Sequence, residues 1–195
     1  MLDLSEVQKE QTRRVDTLER EVSQIYETLV LPNWNGPLHG FSETLYGLMM
    51  AVFARFDMLS GYWRGNASSK GQTARMTEFL DTFVRSSTEA NSVAVRVWRH
   101  KLMHTSRPRY LLNEQTGKTY RWLLHWREHL TREQHFTFVD TGESKILNLG
   151  LMYLIEDLRT ATMAYLLQLS ISSELQQNYE RVETELNSYN YKFHS

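Results

Sequence analysis

Residues 91–113 read NSVAVRVWRHKLMHTSRPRYLLN, and in this stretch the chain changes its architecture. Ala94, Val97, Trp98 and Leu102 recur at helical steps, with the stem of Lys101 on the same side. Pro108 then stops the helix, because its ring removes an amide hydrogen and bars the preceding residue from helical geometry. Beyond it, Tyr110-Leu111-Leu112 is a short apolar run leading into turn residues, which is strand chemistry. The stretch also holds Arg96, Arg99, Lys101, Arg107 and Arg109, with His100 and His104 between them, and no aspartate or glutamate.

Working outward, the flanks predict helices. Val15, Leu18, Val22, Ile25 and Leu29 share one face of a helix over 3–31, closed by Pro32 and a loop through Pro37. A second helix over 41–63 carries Leu45, Leu48, Met49, Val52, Phe53 and Phe56 inward, with Ser42 as its cap, and a polar glycine-bearing loop follows it. A third covers 72–86. A fourth runs over 88–105, capped by Thr88, with Glu89 placed to suit the helix dipole. From 109 to 147 the period shortens. One hairpin joins Tyr110-Leu111-Leu112 to 119–126, and a second joins 136–139 to Lys145-Ile146-Leu147. Strong helical periodicity returns over 149–170, and a mostly polar helix over 174–188 ends the pattern. The expected fold is mainly α: an up-and-down helical bundle with a small antiparallel β-hairpin insertion around residues 109–147, in one domain spanning 1–195.

Composition fits that outline. A chain of 195 residues with 41% hydrophobic and 23% charged residues can bury a core and is not of disordered composition. Twenty-two basic against 23 acidic residues exclude a protein that coats nucleic acid with its whole surface, so the basic segment is a local feature. With no cysteine there is no disulfide, thiolate metal site or cysteine nucleophile. The first residues lack the basic and apolar regions of a signal peptide. The most apolar stretch, 149–169, is interrupted by Glu156, Asp157 and Arg159 and reads as a buried helix rather than a membrane span. A cytoplasmic protein with no membrane contact is expected.

Arg96, His100, His104 and Arg107 follow one another at four, four and three residues, so they share the face opposite the core. Arg99 stands five residues before His104, about 140° away on an ideal helix of 3.6 residues per turn. The two converge if the arginine reaches round, if the helix loosens before Pro108, or if a second copy of the helix supplies the partner group across a dimer axis. Arginine and histidine together suit one chemistry. Cutting RNA requires a proton to leave the 2′-OH, charge to be stabilised on the phosphate, and a proton to reach the departing 5′-oxygen. A histidine can move those protons near neutral pH, and an arginine fork can grip the phosphate.

Arg99, four intervening residues and His104, near the end of a helix in a bundle, resemble the motif of the HEPN superfamily. The resemblance implies a metal-independent endoribonuclease of the toxin–antitoxin or antiviral-defence type. It would act as a homodimer whose site forms where two motif helices meet, and would need no cofactor. It gives His104 the acid/base role and Arg99 the phosphate-binding role, with Arg96, His100, Lys101, Arg107 and Arg109 expected to bind RNA. An antitoxin or regulatory protein is an expected partner. Two positions depart from the family pattern. His100 stands where the family commonly has asparagine, and Ser106 stands where the members modified by a nucleotidyltransferase carry tyrosine. The alternative is a non-catalytic HEPN-like module whose basic face binds RNA, a nucleotide or an acidic protein.

Plainer readings compete. The basic face could pair with the acid-rich first or last helix of the same chain. His100 and His104 also stand at a metal-binding spacing, but no acid lies near in sequence and the surrounding cations repel a divalent ion. His125, His129 and His135 are expected at the surface. Trp122, Trp126, Tyr110 and Tyr120 have the chemistry to stack on bases, although packing is the commoner role, and Tyr62 and Trp63 are expected to pack.

Overall fold

The computed structural model describes residues 2–33, 42–84, 86–98, 110–126 and 130–188. Helix α1 (Leu4–Ile25) begins at Asp3, whose carboxylate accepts hydrogen bonds from the amides of Ser5 and Glu6. It buries Val7, Gln11, Val15, Leu18 and Val22. It then widens into a π-helical turn, Tyr26–Val30, and tightens into a 3-10 turn, Leu31–Asn33, so the first helix is regular only as far as Ile25. Helix α2 is Ser42–Arg64 and α3 is Gln72–Phe83. α3 stops short of the expected Ser86 because Val84 is extended, at φ −114° and ψ 131°. The loop between α2 and α3 requires glycine at its start. Gly65 has φ +63°, and a Cβ there would meet Arg181 and stand 2.5 Å from Asn178 Oδ1.

Helix α4 (Thr88–Arg96) is capped by Ser87 rather than Thr88: the Ser87 side chain accepts the Ala90 amide at 3.1 Å. Helices α5 (Leu151–Ile171) and α6 (Ser173–Ser188) complete the bundle. α5 is its centre and packs against α1, α2 and α3. Leu154, Ile155, Leu158, Ala161 and Tyr165 are almost wholly buried on it. Phe79 of α3 brings the rings together, 6.5 Å from Phe56, 4.6 Å from Phe83 and 6.4 Å from Tyr165.

Both expected hairpins form. Strands β1 (Leu111–Leu112) and β2 (Thr119–His125) pair antiparallel, as do β3 (Phe138–Asp140) and β4 (Ser144–Gly150). The sheet they make is mixed, however, and not antiparallel. Its order is β1-β2-β4-β3, and β2 runs parallel to β4 from Thr119 opposite Ser144 to His125 opposite Gly150. The cause is burial. β2 and β4 are the longer arms, and Tyr120, Leu124, Leu147 and Leu149 are buried from them. Placing those two strands in the middle puts the short arms at both edges, and the chain after Trp126 is long enough for the crossover that a parallel pair needs.

β4 then becomes α5 directly. Leu149, expected to open the helix, is instead a buried strand residue, and Gly150 occupies the N-cap position. A Cβ on Gly150 would stand 2.8 Å from Tyr153 and 3.1 Å from Leu130, so the close approach itself demands glycine.

The Tyr165 hydroxyl is buried, and no hydrogen-bond partner stands within reach of it among the described residues. Burial also pushes the phenol pKa upward. Removing that oxygen relieves a desolvated polar group without opening a void at the ring. Tyr165→Phe should therefore stabilise the fold by about 1 kcal/mol, read as a higher urea midpoint with unchanged slope.

Candidate functional site

The basic segment is launched from α4, and α4 is firmly seated. Ala94, Val95, Val97 and Trp98 are buried, and Trp98 stacks on Phe53 of α2 with ring centres 5.5 Å apart and planes at 12°. Arg96 lies on the opposite side and is exposed, its Nε–H directed at Ser92 Oγ at 3.4 Å. The sequence thus sorted α4 correctly into a core face and an outer face. Arg96 is the one predicted site residue that the structure describes. Arg99, His100, Lys101, His104, Arg107 and Arg109 lie outside the described residues.

Sequence reasoning did not find the groove that Arg96 borders. A cavity of about 670 Å³ separates α4 from the β1–β2 hairpin. Glu89, Ser92, Val93 and Arg96, a single face of α4, form one wall. Leu111, Leu112, Tyr120 and the 113–115 turn form the other. Among the described residues, Arg96 on one wall and Leu111 on the other are the lining residues that flank the basic segment in sequence. No pattern within either segment announces a cavity that arises only when helix and hairpin are set side by side.

A polar cluster sets one end of the groove. Glu89 accepts a hydrogen bond from the Tyr120 hydroxyl at 2.8 Å and is bridged by Lys145 Nζ at 2.8 and 3.0 Å. The Lys145 ammonium, helped by the Tyr120 hydroxyl, holds the Glu89 carboxyl below the usual carboxylate range. Tyr120 shifts the opposite way, raised by burial and by its bond to Glu89. Helix α4, strand β2 and strand β4 meet at this cluster.

Three acids of α1 are held by arginines of the fold. Arg159 of α5 holds Asp16 at 2.7 Å and also Glu19, while Arg14 holds Glu10. On α6, Glu183 accepts the Tyr62 hydroxyl, and Tyr62 is buried as expected.

His135 corrects an expectation. It is buried and not at the surface. Its Nδ1 accepts the Gly150 amide at 3.0 Å, so Nε2 carries the proton and donates it to Asp157 at 3.0 Å. Arg132 engages the other carboxylate oxygen. A buried histidine–aspartate pair resembles a general base, but both ring nitrogens are committed and no lone pair remains for a substrate proton. The cluster holds the 130–137 segment against the start of α5. The sequence signal was Asp157, an acid on the buried side of an apolar helix, which must find partners. His125 is half-buried at the end of β2, and His129 lies outside the described residues. Trp126 and Tyr120 pack in the core, Trp122 is half-buried and Tyr110 is exposed. Among the described residues no group of three or more histidines and acids is placed to hold a metal ion, and no helix is long and apolar enough to cross a membrane.

Two measurements check this account. A group whose folded pKa is depressed stabilises the fold above its unfolded value, about 4.3 for glutamate, and that contribution is lost as pH falls through the lower folded value. Urea midpoints of Glu89→Gln should accordingly fall less steeply than wild type below about pH 4. His135→Ala leaves the Gly150 amide unpaired and Asp157 with Arg132 alone, and should cost about 2–4 kcal/mol by chemical denaturation.

Comparison of the chain with protein-family models, with curated proteins and with solved structures finds no match.

Proposed function

We propose that the protein is a metal-independent endoribonuclease of HEPN type, with Arg99 and His104 as its reacting pair. The observation that carries this reading is the acid-free basic segment with its Arg-x4-His spacing, departing from a helix whose inner side is locked by Trp98 and whose outer side presents Arg96. In this mechanism His104 takes the proton from the 2′-OH. The 2′-oxygen attacks the adjacent phosphorus, Arg99 neutralises the oxyanions, and the 5′-oxygen leaves with a proton returned by a histidine. The products are a 2′,3′-cyclic phosphate and a 5′-hydroxyl. His104 of a second copy, or His100, is the proton donor for the leaving oxygen.

The awkward helical spacing of Arg99 and His104 favours a site completed by two copies, so the active form is a homodimer. A basic, RNA-cutting surface left unguarded would damage its own cell, which gives an antitoxin or regulatory protein its reason to exist. Arg96, His100, Lys101, Arg107 and Arg109 are assigned to holding the RNA backbone. Glu10, Asp16 and Glu19 of α1 are held by Arg14 and Arg159, which leaves fewer acids of the fold to compete with an outside anion.

Purified protein should cut single-stranded RNA in excess EDTA and leave cyclic phosphate ends. His104→Ala should lower the rate by about 10²–10⁴-fold while keeping RNA affinity. RNA binding that weakens with salt but is never followed by cleavage would mean a binding module instead. Cleavage at full rate by His104→Ala removes His104 from the mechanism.

A further inference from the structure

The groove between α4 and the β1–β2 hairpin has the dimensions of a ligand site, and of the backbone-holding residues above only Arg96 borders it among the described residues. Its volume of about 670 Å³ is that of a small-molecule pocket. Its polarity is graded along the helix. Arg96, an exposed guanidinium, stands at the end where α4 leads into the basic segment, and Glu89 stands two turns earlier. Between them Ser92 and Val93 line the helix side, and Leu111, Tyr120 and the polar 113–115 turn, Glu114 included, line the hairpin side. At the Glu89 end the groove meets a carboxylate whose Oε1 accepts from Tyr120 and Lys145 and whose Oε2 accepts from Lys145, with acceptor capacity remaining on Oε2.

We infer that this groove seats one nucleotide unit, its phosphate on Arg96, its base between Val93 and the hairpin, and the amino edge of the base towards Glu89. The inference rests on the RNA reading of the α4 segment and adds a base-reading subsite to it. A cation at one end and an acceptor at the other, one face of a short helix apart, match the two poles of a nucleotide. A fork of N–H donors takes the phosphate. The Val93, Leu111 and Tyr120 side of the groove takes the ring. A carboxylate accepts from the exocyclic amino group of adenine, guanine or cytosine and has nothing to accept from the corresponding carbonyl of uracil. Continuity with the basic segment supports the same occupant. The sequence runs from Arg96 through Arg99, Lys101, Arg107 and Arg109 to Leu111 without one acid, and Arg96 and Leu111, which flank the run, both line the groove.

The test is equilibrium binding of AMP, GMP, CMP and UMP to the full chain, followed by NMR or calorimetry and independent of any cleavage. The three nucleotides with amino-bearing bases should bind at least tenfold more tightly than UMP. Ser92→Trp, at a half-buried position on the groove wall, should abolish binding, and Arg96→Ala should weaken it about tenfold, with both variants retaining the wild-type circular dichroism spectrum. Should Ser92→Trp fail to fold, Gln115→Trp on the exposed turn opposite tests the same space. The subsite is overturned if no nucleotide binds at millimolar concentration, if filling the groove leaves affinity unchanged, or if UMP binds as tightly as the others. The parent reading fails on a different result, the absence of RNA cleavage in EDTA, so the two can be told apart.

Discussion

Strand β4 turns into helix α5 within a single residue, and the rest of the structure depends on that junction. No loop separates Leu149, buried in the sheet, from Leu151, buried in the bundle. Gly150 stands between them because any side chain would collide with Tyr153 and Leu130. Its amide, one of the donors a helix start leaves unpaired, is taken by His135, which in turn is held by Asp157 from inside the helix. The sheet is thus covalently continuous with the central helix and pinned to it by a buried polar bridge. It cannot pivot on the bundle without breaking that bridge.

With the sheet fixed, the place of α4 follows. β4 carries Lys145 and its parallel neighbour β2 carries Tyr120, and both reach Glu89 in the first turn of α4. At the other end Trp98 lies flat on Phe53. A helix held at both ends presents its remaining side in a set direction, and that side carries Arg96. The groove is the space left between this helix and the β1–β2 hairpin. Its existence is a consequence of the mixed sheet. Had β2 paired with β3 to make the antiparallel sheet the hairpins suggested, Lys145 and Tyr120 would not stand on adjacent strands.

Charge in this protein is organised by neighbourhood and not by total. The near-neutral balance conceals arginines with opposite duties. Arg14, Arg132 and Arg159 are engaged with carboxylates in the fold, whereas Arg96 faces outward at a cavity. Histidine divides in the same way. His135 is chemically silent because both nitrogens are spent on the junction, while His104 belongs to a segment free of acids. Under the proposed function such a segment would recognise anions through local potential, without the general basicity of proteins that coat nucleic acid.

The sequence by itself determined the helices and their inward faces. Burial of Val15, Met49, Phe56, Phe79, Leu158 and Tyr165 follows from their spacing, since a helix repeats its face every three to four residues whatever surrounds it. It also determined both hairpins, whose turns are local, and the division of α4 into a core side and Arg96. It marked the basic, acid-free segment by composition, and the Arg99–His104 pair within it only by resemblance to the HEPN motif. Tertiary structure decided what no local window contains: which hairpin arms lie side by side, that Leu149 belongs to a strand, that His135 is buried, and that a groove opens beside Arg96. The physical reason is common to all four. Strand partners, the burial of a polar residue and the shape of a cavity are set by groups far apart in sequence, which meet only when the apolar faces of β2, β4 and α5 are buried together.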